Sequence, residues 1–519
     1  MRLTFLPLAV LGALVAAQNE TLNNGPFKPA TTASPPPSTV SSGEAATAGA
    51  PVSYPTLAPD AGPSLPNTAP LPVLPTDMVF FSVPNGTSKP TVPVHGAWFS
   101  YSQAPIPATT TTLNPATFTA AFTNKDIAAP PTTREYDFTL HYAAGWPSGY
   151  LRRMAVINNQ FPGPLIEANI GDTIVVHVHN NLDIPQAIHW HGIRQNGSNA
   201  MDGVPGFSQC AIQPGKSFTY RFQVPTETGT FWYHSHYGNT LADGLVGGLI
   251  VHSRDDPLKL GVDYDDDRVL YLSDWMNDQS DVIIHEETDM RKPYRGINFV
   301  AQPDAALING VGQCDCSWAQ RGVPCGINPH AEVVAAKGDR VRLRLINHGG
   351  QALIRFSIDG HSMTVIEADD TAVEPVTVNE VPVGSGQRYS VVVTLNKGEV
   401  GASFWIRAHV GTWCINPASK VNGVGILRYS NKNGKCNGKK CTSIPDTQPH
   451  PDLKDPQHEL CRDLDEYVPL VPRVREDAPA EASQSFAFNS LFGIFTDPVR
   501  QTPMVGFGMN GQMYKNMIK

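Results

Sequence analysis

From Arg134 onward the chain is written in short runs of β-branched and aromatic residues separated by Gly, Pro, Asn and Asp. Thr173-Ile174-Val175-Val176, Phe218-Thr219-Tyr220-Arg221-Phe222, Val341-Arg342-Leu343-Arg344-Leu345 and Tyr389-Ser390-Val391-Val392-Val393 are examples. Phe218, Tyr220 and Phe222 alternate with polar residues, the period of two that buries one face of a strand. No long amphipathic helix is predicted between 134 and 430. Many short strands punctuated by turns predict an all-β protein of sandwiches or barrels. The pattern also repeats weakly. Gly171-Asp172-Thr173 precedes Ile174-Val175-Val176 and then Asn180, and Gly338-Asp339-Arg340 precedes Val341-Arg342-Leu343 and then Asn347. A turn, a strand and an Asn recurring one domain length apart predict two copies of one β-domain.

The flanks read differently. Arg2, the apolar stretch Leu3 to Leu14 and the small residues Val15-Ala16-Ala17 predict a secretory signal over 1–17, cut before Gln18. Residues 18–76 are Pro, Ala, Thr and Ser with few large apolar side chains. Such a segment buries too little surface to offset its ordering entropy, so a disordered, O-glycosylated stalk is predicted. Residues 77–131 form an N-terminal extension with aromatics such as Phe80, Phe81, Trp98 and Phe99 but no clear period. Residues 433–483 form a polar linker with Cys436, Cys441 and Cys461, and apolar residues resume near Phe486.

The chain has 519 residues, enough for two or three domains with their own cores. No later apolar run reaches spanning length, which predicts a soluble mature protein without a transmembrane segment. Eight cysteines and the sequons at Asn19, Asn85 and Asn196 fit a secreted, disulfide-bonded glycoprotein. The stalk fits attachment to, or extension from, a cell surface. A net charge of -9 is spread along the chain without a basic block, which argues against nucleic acid and membrane-surface partners.

The candidate chemistry lies in two His-x-His pairs. One is Ala187-Ile188-His189-Trp190-His191-Gly192; the other is Phe231-Trp232-Tyr233-His234-Ser235-His236-Tyr237-Gly238. Residues two apart on a strand share a face, with Cα atoms roughly 6–7 Å apart. Each pair therefore points both imidazoles one way, and two facing pairs supply four nitrogen ligands to one cavity. Neutral imidazole suits copper, zinc, iron and nickel. The glycines after each pair are expected to let backbone approach the site. A single His-x-His pair is weak evidence, and the chain carries its own control: His177 and His179 lie on a strand flank without aromatic or Gly context and read as structural. Rival metal folds fit poorly. A cupin needs a Glu shortly after the pair, where Ile193, Arg194, Gln195 and Asn196 stand. A β/α-barrel hydrolase needs helices between strands. Cys314-Asp315-Cys316 and Cys325 lie close together without a nearby His pair, so disulfide use is favoured over a thiolate zinc site.

These residues carry a resemblance. Phe161-Pro162-Gly163-Pro164, His189-Trp190-His191-Gly192, Asp202-Gly203, Gln209-Cys210, Tyr233-His234-Ser235-His236 and Asp243-Gly244-Leu245 together resemble the first cupredoxin domain of multicopper oxidases, fungal laccases above all. Ser273-Asp274-Trp275, Leu307-Ile308-Asn309-Gly310, Ile358-Asp359-Gly360-His361, Val365-Ile366-Glu367-Ala368-Asp369 and Gly386-Gln387-Arg388-Tyr389 resemble the second. The resemblance implies tandem cupredoxin-like Greek-key domains over 132–255 and 265–432, and the start of a truncated third over 484–519. It implies a trinuclear copper cluster between the first and third domains, where dioxygen is reduced to water at the expense of a small reducing substrate. His189 would bind the type 2 copper, and His191, His234 and His236 the type 3 pair. Asp202 matches an acidic residue linked to proton delivery; a turn residue before Gly203 is the equal alternative. His361 would be structural. Asp370 stands where many relatives have Gly. Cys210 holds a position often bridged to the family's C-terminal tail, and without that tail it would be unpaired.

The same resemblance shows what this chain lacks. The type 1 copper takes one Cys and two His, and four further histidines complete the cluster, all from the third domain. Cys414 follows Trp413 without a neighbouring His, and only His450 and His458 follow His409. The expectation is a secreted laccase-like oxidase whose chain is incomplete and inactive alone. A ferroxidase-type oxidase and a non-enzymatic two-domain copper-binding protein are the alternatives.

Overall fold

The computed structural model describes residues 79–80, 120, 122–224, 228–288, 295, 301–318, 325–411, 421–436, 443–454, 462–466, 468–473, 488–496, 503–509 and 512–513. The predicted signal and stalk, Cys414 and His458 lie outside the described residues.

The first group of strands is β1 (Val79–Phe80), β2 (Thr133–Gly145), β3 (Arg152–Ile157), β4 (Ile166–Asn169), β5 (Thr173–Asn180), β6 (Ile188–His191), β7 (Ser217–Gln223), β8 (Gly229–Ser235) and β9 (Val246–His252). They form one sheet of order β1-β2-β5-β7, with β3 also on β2, and a second of order β4-β9-β8-β6. The second group is β10 (Asp266–Trp275), β11 (Ala305–Ile308), β12 (Ala331–Ala336), β13 (Arg340–Asn347), β14 (Ile354–Ile358), β15 (Met363–Ala368), β16 (Thr371–Val378), β17 (Val381–Val383), β18 (Arg388–Thr394), β19 (Ser403–Val410) and β20 (Asn422–Ser430). Its sheets run β11-β10-β13-β18-β15-β16 and β12-β20-β19-β14-β17. A short meander follows in β21 (Ser490–Thr496), β22 (Pro503–Met509) and β23 (Gln512–Met513). The architecture is all-β, as the alternation predicts, in two tandem sandwiches. Among the described residues the α-helices are α1 (Asn124–Ile127) and α2 (Ser280–Thr288). The strand pattern gives no sign of α2, which is nine residues long. No helix among the described residues is long and apolar enough to cross a membrane.

The predicted echo is structural. Gly171 and Gly338 both adopt φ +88°, a left-handed turn that suits glycine, immediately before β5 and β13. Asn180 closes β5 by donating its amide to the carbonyls of Ile184 and Ile212, each at 2.9 Å. Asn347 closes β13 in the same way on Ala352 and Val383, each at 2.8 Å. One brace thus serves both sandwiches.

Each sandwich has its own apolar core, one around Trp190, Tyr220, Phe231 and Tyr233, the other around Phe356, Ile406, Leu427 and Tyr429. A third cluster joins them, with Trp146, Phe161 and Trp232 from one side and Tyr271, Trp275 and Ile346 from the other. His361 belongs to the second core, its Nδ1 on the Asp359 carbonyl and its Nε2 on the Tyr429 hydroxyl, as a structural histidine should. His177 and His179 bond Thr219, Glu135 and Ser217 on the surface of β5. Asp370 faces Arg194 across 3.9 Å.

His348 is buried at the seam between the sandwiches, edge-on to Phe161, and its Nε2 has no hydrogen-bond partner among the described residues. Burial pushes its imidazole from 6.5 down to about 4. The unfolded chain therefore binds this proton more readily. The resulting stability is intact above pH 6.5 and is lost as the pH falls toward 4. The loss approaches ~3 kcal/mol at ~1.4 kcal/mol per unit. Urea unfolding between pH 7 and pH 4 is expected to show a shallower decline for His348→Leu; equal slopes would refute this account.

Candidate metal centre

β6 and β8 run antiparallel with His189 opposite His234 and His191 opposite Trp232. The intervening Trp190 and Tyr233 point into the core, both fully buried. Trp190 packs on Tyr220 and Phe222, and the Tyr233 hydroxyl donates to the Pro164 carbonyl at 2.6 Å. This packing fixes the register, because a one-residue slip would bury the histidines and expose the tryptophan. Alternation thus turns both histidine pairs onto one face.

The ligand-capable nitrogens of His189, His191 and His234 all lie within 4.8 Å of one another. His236 stands just past the end of β8, its ring 5.4 Å from that of His189 and 5.9 Å from that of His234. It is the exposed member of the four. His189 Nδ1–H donates to the Asp202 carbonyl at 2.7 Å, with the Asp202 carboxylate at 3.3 Å. His234 Nδ1–H donates to the Ser235 carbonyl at 2.9 Å. These bonds set the tautomers and leave each Nε2 lone pair free for an ion. His191 Nδ1 faces His234 Nε2 at 3.4 Å, long for a hydrogen bond between them. Burial, then the Arg388 guanidinium and the neighbouring imidazoles, pushes His191 down to about 2. Burial pushes His234 down to about 3 and also lowers His236. Converging neutral imidazoles with free lone pairs are a donor set that suits copper.

Trp232 shields the cluster from behind, its ring 4.7 Å from that of His191 and 4.3 Å from that of His234. Its Nε1–H donates at 3.3 Å to the carbonyl of Gly386, which belongs to the second sandwich. Gly386 has φ +84°, and a Cβ there would stand 3.1 Å from His191 Cε1. Arg388 Nε–H donates to the Thr230 carbonyl at 2.8 Å, bracing the strand that carries His234. In the sequence these two residues stand only within the string that resembles the second domain. Nothing there beyond a glycine-bearing turn signals their contact with the histidines. The expectation that glycines after the pairs admit close backbone approach holds for Gly192, whose Cβ would meet Arg388 and Phe231. It fails for Gly238, which has open space around it and φ +57°; there the backbone conformation calls for glycine.

Asp202 caps the short turn Asn199–Met201, and its carboxylate lies 3.3 Å from His189 Nδ1. The next residue, Gly203, has φ +77°, and a Cβ there would lie 1.8 Å from the Ile188 carbonyl oxygen. Gly203→Ala is expected to cost at least about 1–3 kcal/mol from backbone strain alone. It should also displace the carbonyl that orients His189. Denaturant unfolding and copper content of the variant check this; a variant unchanged in both would disprove it. Cys210 is an exposed free thiol.

Multicopper oxidase family models match residues 139–256 and 266–432. Laccase-1 of Cryptococcus neoformans is 44% identical over 413 residues, which cover 80% of this chain and 65% of that protein. Dihydrogeodin oxidase of Aspergillus terreus is 36% identical over 375 residues, 69% of this chain and 57% of that protein. The crystal structure of laccase from Botrytis aclada matches with a TM-score of 0.61 at 33% identity, over 75% of this chain and 66% of that one. The chain thus spans about two thirds or less of the length of these relatives. Two matched sandwiches, and relatives alike over most of the chain, show that it belongs to the multicopper oxidase family.

Proposed function

We propose that the four histidines bind copper, His189 at a type 2 position and His191, His234 and His236 at a type 3 pair. The protein they serve is a laccase-type oxidase, coupling one-electron oxidation of a phenolic or related reductant to four-electron reduction of dioxygen to water. The observation that carries this reading is the register of β6 on β8, which sets His189 against His234. Bound copper would supply the one-electron redox chemistry that side chains lack. The chain's residues supply the rest. The Asp202 and Ser235 carbonyls hold two rings in the tautomer that offers Nε2 to the ion. Trp232 and the packed face behind it keep water from the buried side. The part-exposed Asp202 carboxylate, 3.3 Å from His189 Nδ1, is placed to hold or pass a proton at the mouth of the site.

The same reading includes export through a signal over 1–17, a stalk over 18–76 and an extension over 77–131. It places cupredoxin domains over 132–255 and 265–432, a linker over 433–483, and the opening of a third domain from 484. Oxygen uptake by the copper-replete native protein, with a phenol and with Fe(II) offered separately, tests it. The expected result is phenol-driven uptake of one dioxygen per four phenols oxidised, without hydrogen peroxide. Uptake with Fe(II) alone would favour a ferroxidase. Copper binding with no uptake from either reductant would favour a copper-binding protein and overturn the oxidase reading.

A further inference from the structure

Cys314, Cys316 and Cys325 crowd together beside the β2–β3 turn. Cys316 and Cys325 are disulfide-bonded, and Cys314 is a free thiol. Cys314 Sγ lies 3.5 Å from Cys325 Sγ, against an atom already bonded to another sulfur. The three sulfurs lie within 4.8 Å of one another, so the thiol sits beside the disulfide and a small swing of Cys314 would bring it into line for exchange.

We infer that these three cysteines form an exchange unit in which Cys325 has two alternative partners. The Cys314 thiolate attacks Cys325 Sγ. The Cys314–Cys325 bond forms as the Cys316–Cys325 bond breaks, and Cys316 leaves as a thiolate that takes up the proton Cys314 gave to solvent. One thiol and one disulfide stand on each side, so no outside oxidant or reductant is consumed.

The two bridges tie different things. The Cys316–Cys325 bond closes a small loop within the second sandwich. Cys314 and Cys325 instead flank the β2–β3 turn of the first sandwich. On one side Gly312 N–H bonds the Pro147 carbonyl and Cys314 N–H the Ser148 carbonyl, each at 2.8 Å. On the other Gly326 N–H bonds the Gly149 carbonyl at 2.9 Å, and Tyr150 pairs with Cys325. Exchange therefore moves the covalent bond onto the segment that grips the first sandwich, and it frees Cys316. Burial raises the Cys314 thiol above its ordinary range, so the thiolate is scarce near neutrality. The rate should rise about tenfold per pH unit there.

Disulfide mapping of the full chain tests this, in a Cys210→Ser background that removes the exposed thiol. The protein is held without reductant at pH 6, 7 and 8, acid-quenched, alkylated, digested and sequenced by mass spectrometry. Both bridges are expected at equilibrium, each with the complementary cysteine alkylated. Their approach to equilibrium should be independent of protein concentration and about 100-fold faster at pH 8 than at pH 6. In Cys316→Ser refolded in a glutathione redox buffer, whose oxidised form takes up the two electrons, Cys314–Cys325 should form in nearly every molecule. A single bridge at every pH, a concentration-dependent rate, or two free thiols in Cys316→Ser would each overturn the proposal. The map of the Cys210→Ser parent decides the matter even if Cys316→Ser fails to fold.

Discussion

Replacing His234 by Ala is expected to weaken copper binding by more than about 100-fold. Loss of a partner that merely orients a metal-bound histidine costs roughly 10–100-fold, and loss of the ligand itself should exceed that. His234 is the residue through which the cluster is knit. It pairs with His189 across the strands, faces His191 at 3.4 Å and lies against Trp232. His177→Ala is the matched control: its ring bonds Thr219 and Glu135 on another sheet, and copper affinity should not change. Titration of both variants with copper, alongside circular dichroism to show intact folding, decides the point. A folded His234→Ala chain that binds copper like the parent would remove these histidines as ligands.

The surroundings of His234 divide into a part legible in the sequence and a part that is not. The period of two by itself puts His189 and His191 on one face of their strand, and His234 and His236 on one face of theirs. It does so because side-chain direction on a strand is a local property of the backbone. The Gly-Asp turns and closing asparagines are legible for the same reason. Gly386 and Arg388 are not. They lie more than a hundred residues beyond the histidines, and only the packing of one sandwich on the other brings them there. Arg342 and Arg344 teach the same lesson. Their alternation with Val341, Leu343 and Leu345 reads as a strand with one polar face. In the fold that face is covered too, and each arginine side chain is only 2% exposed.

Arg344→Met is expected to destabilise the protein by about 3–5 kcal/mol at neutral pH, the cost of breaking a buried ion pair from one side. Arg344 grips the Asp267 carboxylate with two bonds, at 2.8 and 2.9 Å. It also donates to the Thr230 hydroxyl of the first sandwich at 3.0 Å and stands 3.8 Å from Glu367. Without it, Arg342 is left to face Asp256, Asp267 and Glu367, the last two of which are nearly closed to water. Methionine restores volume but no charge. The double variant Arg344→Met, Asp267→Asn should recover much of the loss, since the stranded carboxylate is then gone. Urea unfolding of the parent, both single variants and the double gives the cycle. A single Arg344→Met variant within about 1 kcal/mol of the parent would show that the charges are not dependent on one another.

The hydrogen bond from Trp232 to the Gly386 carbonyl has a consequence for inheritance. The first sandwich holds all four histidines, yet the wall behind them is encoded some 150 residues downstream, in the second sandwich. The two stretches are therefore one unit under recombination. A crossover between relatives at the junction near 256–266 would pair the histidines of one parent with the turn of another. Such a chimera should keep its copper only where the incoming 384–388 turn reproduces the glycine at 386 and the arginine at 388.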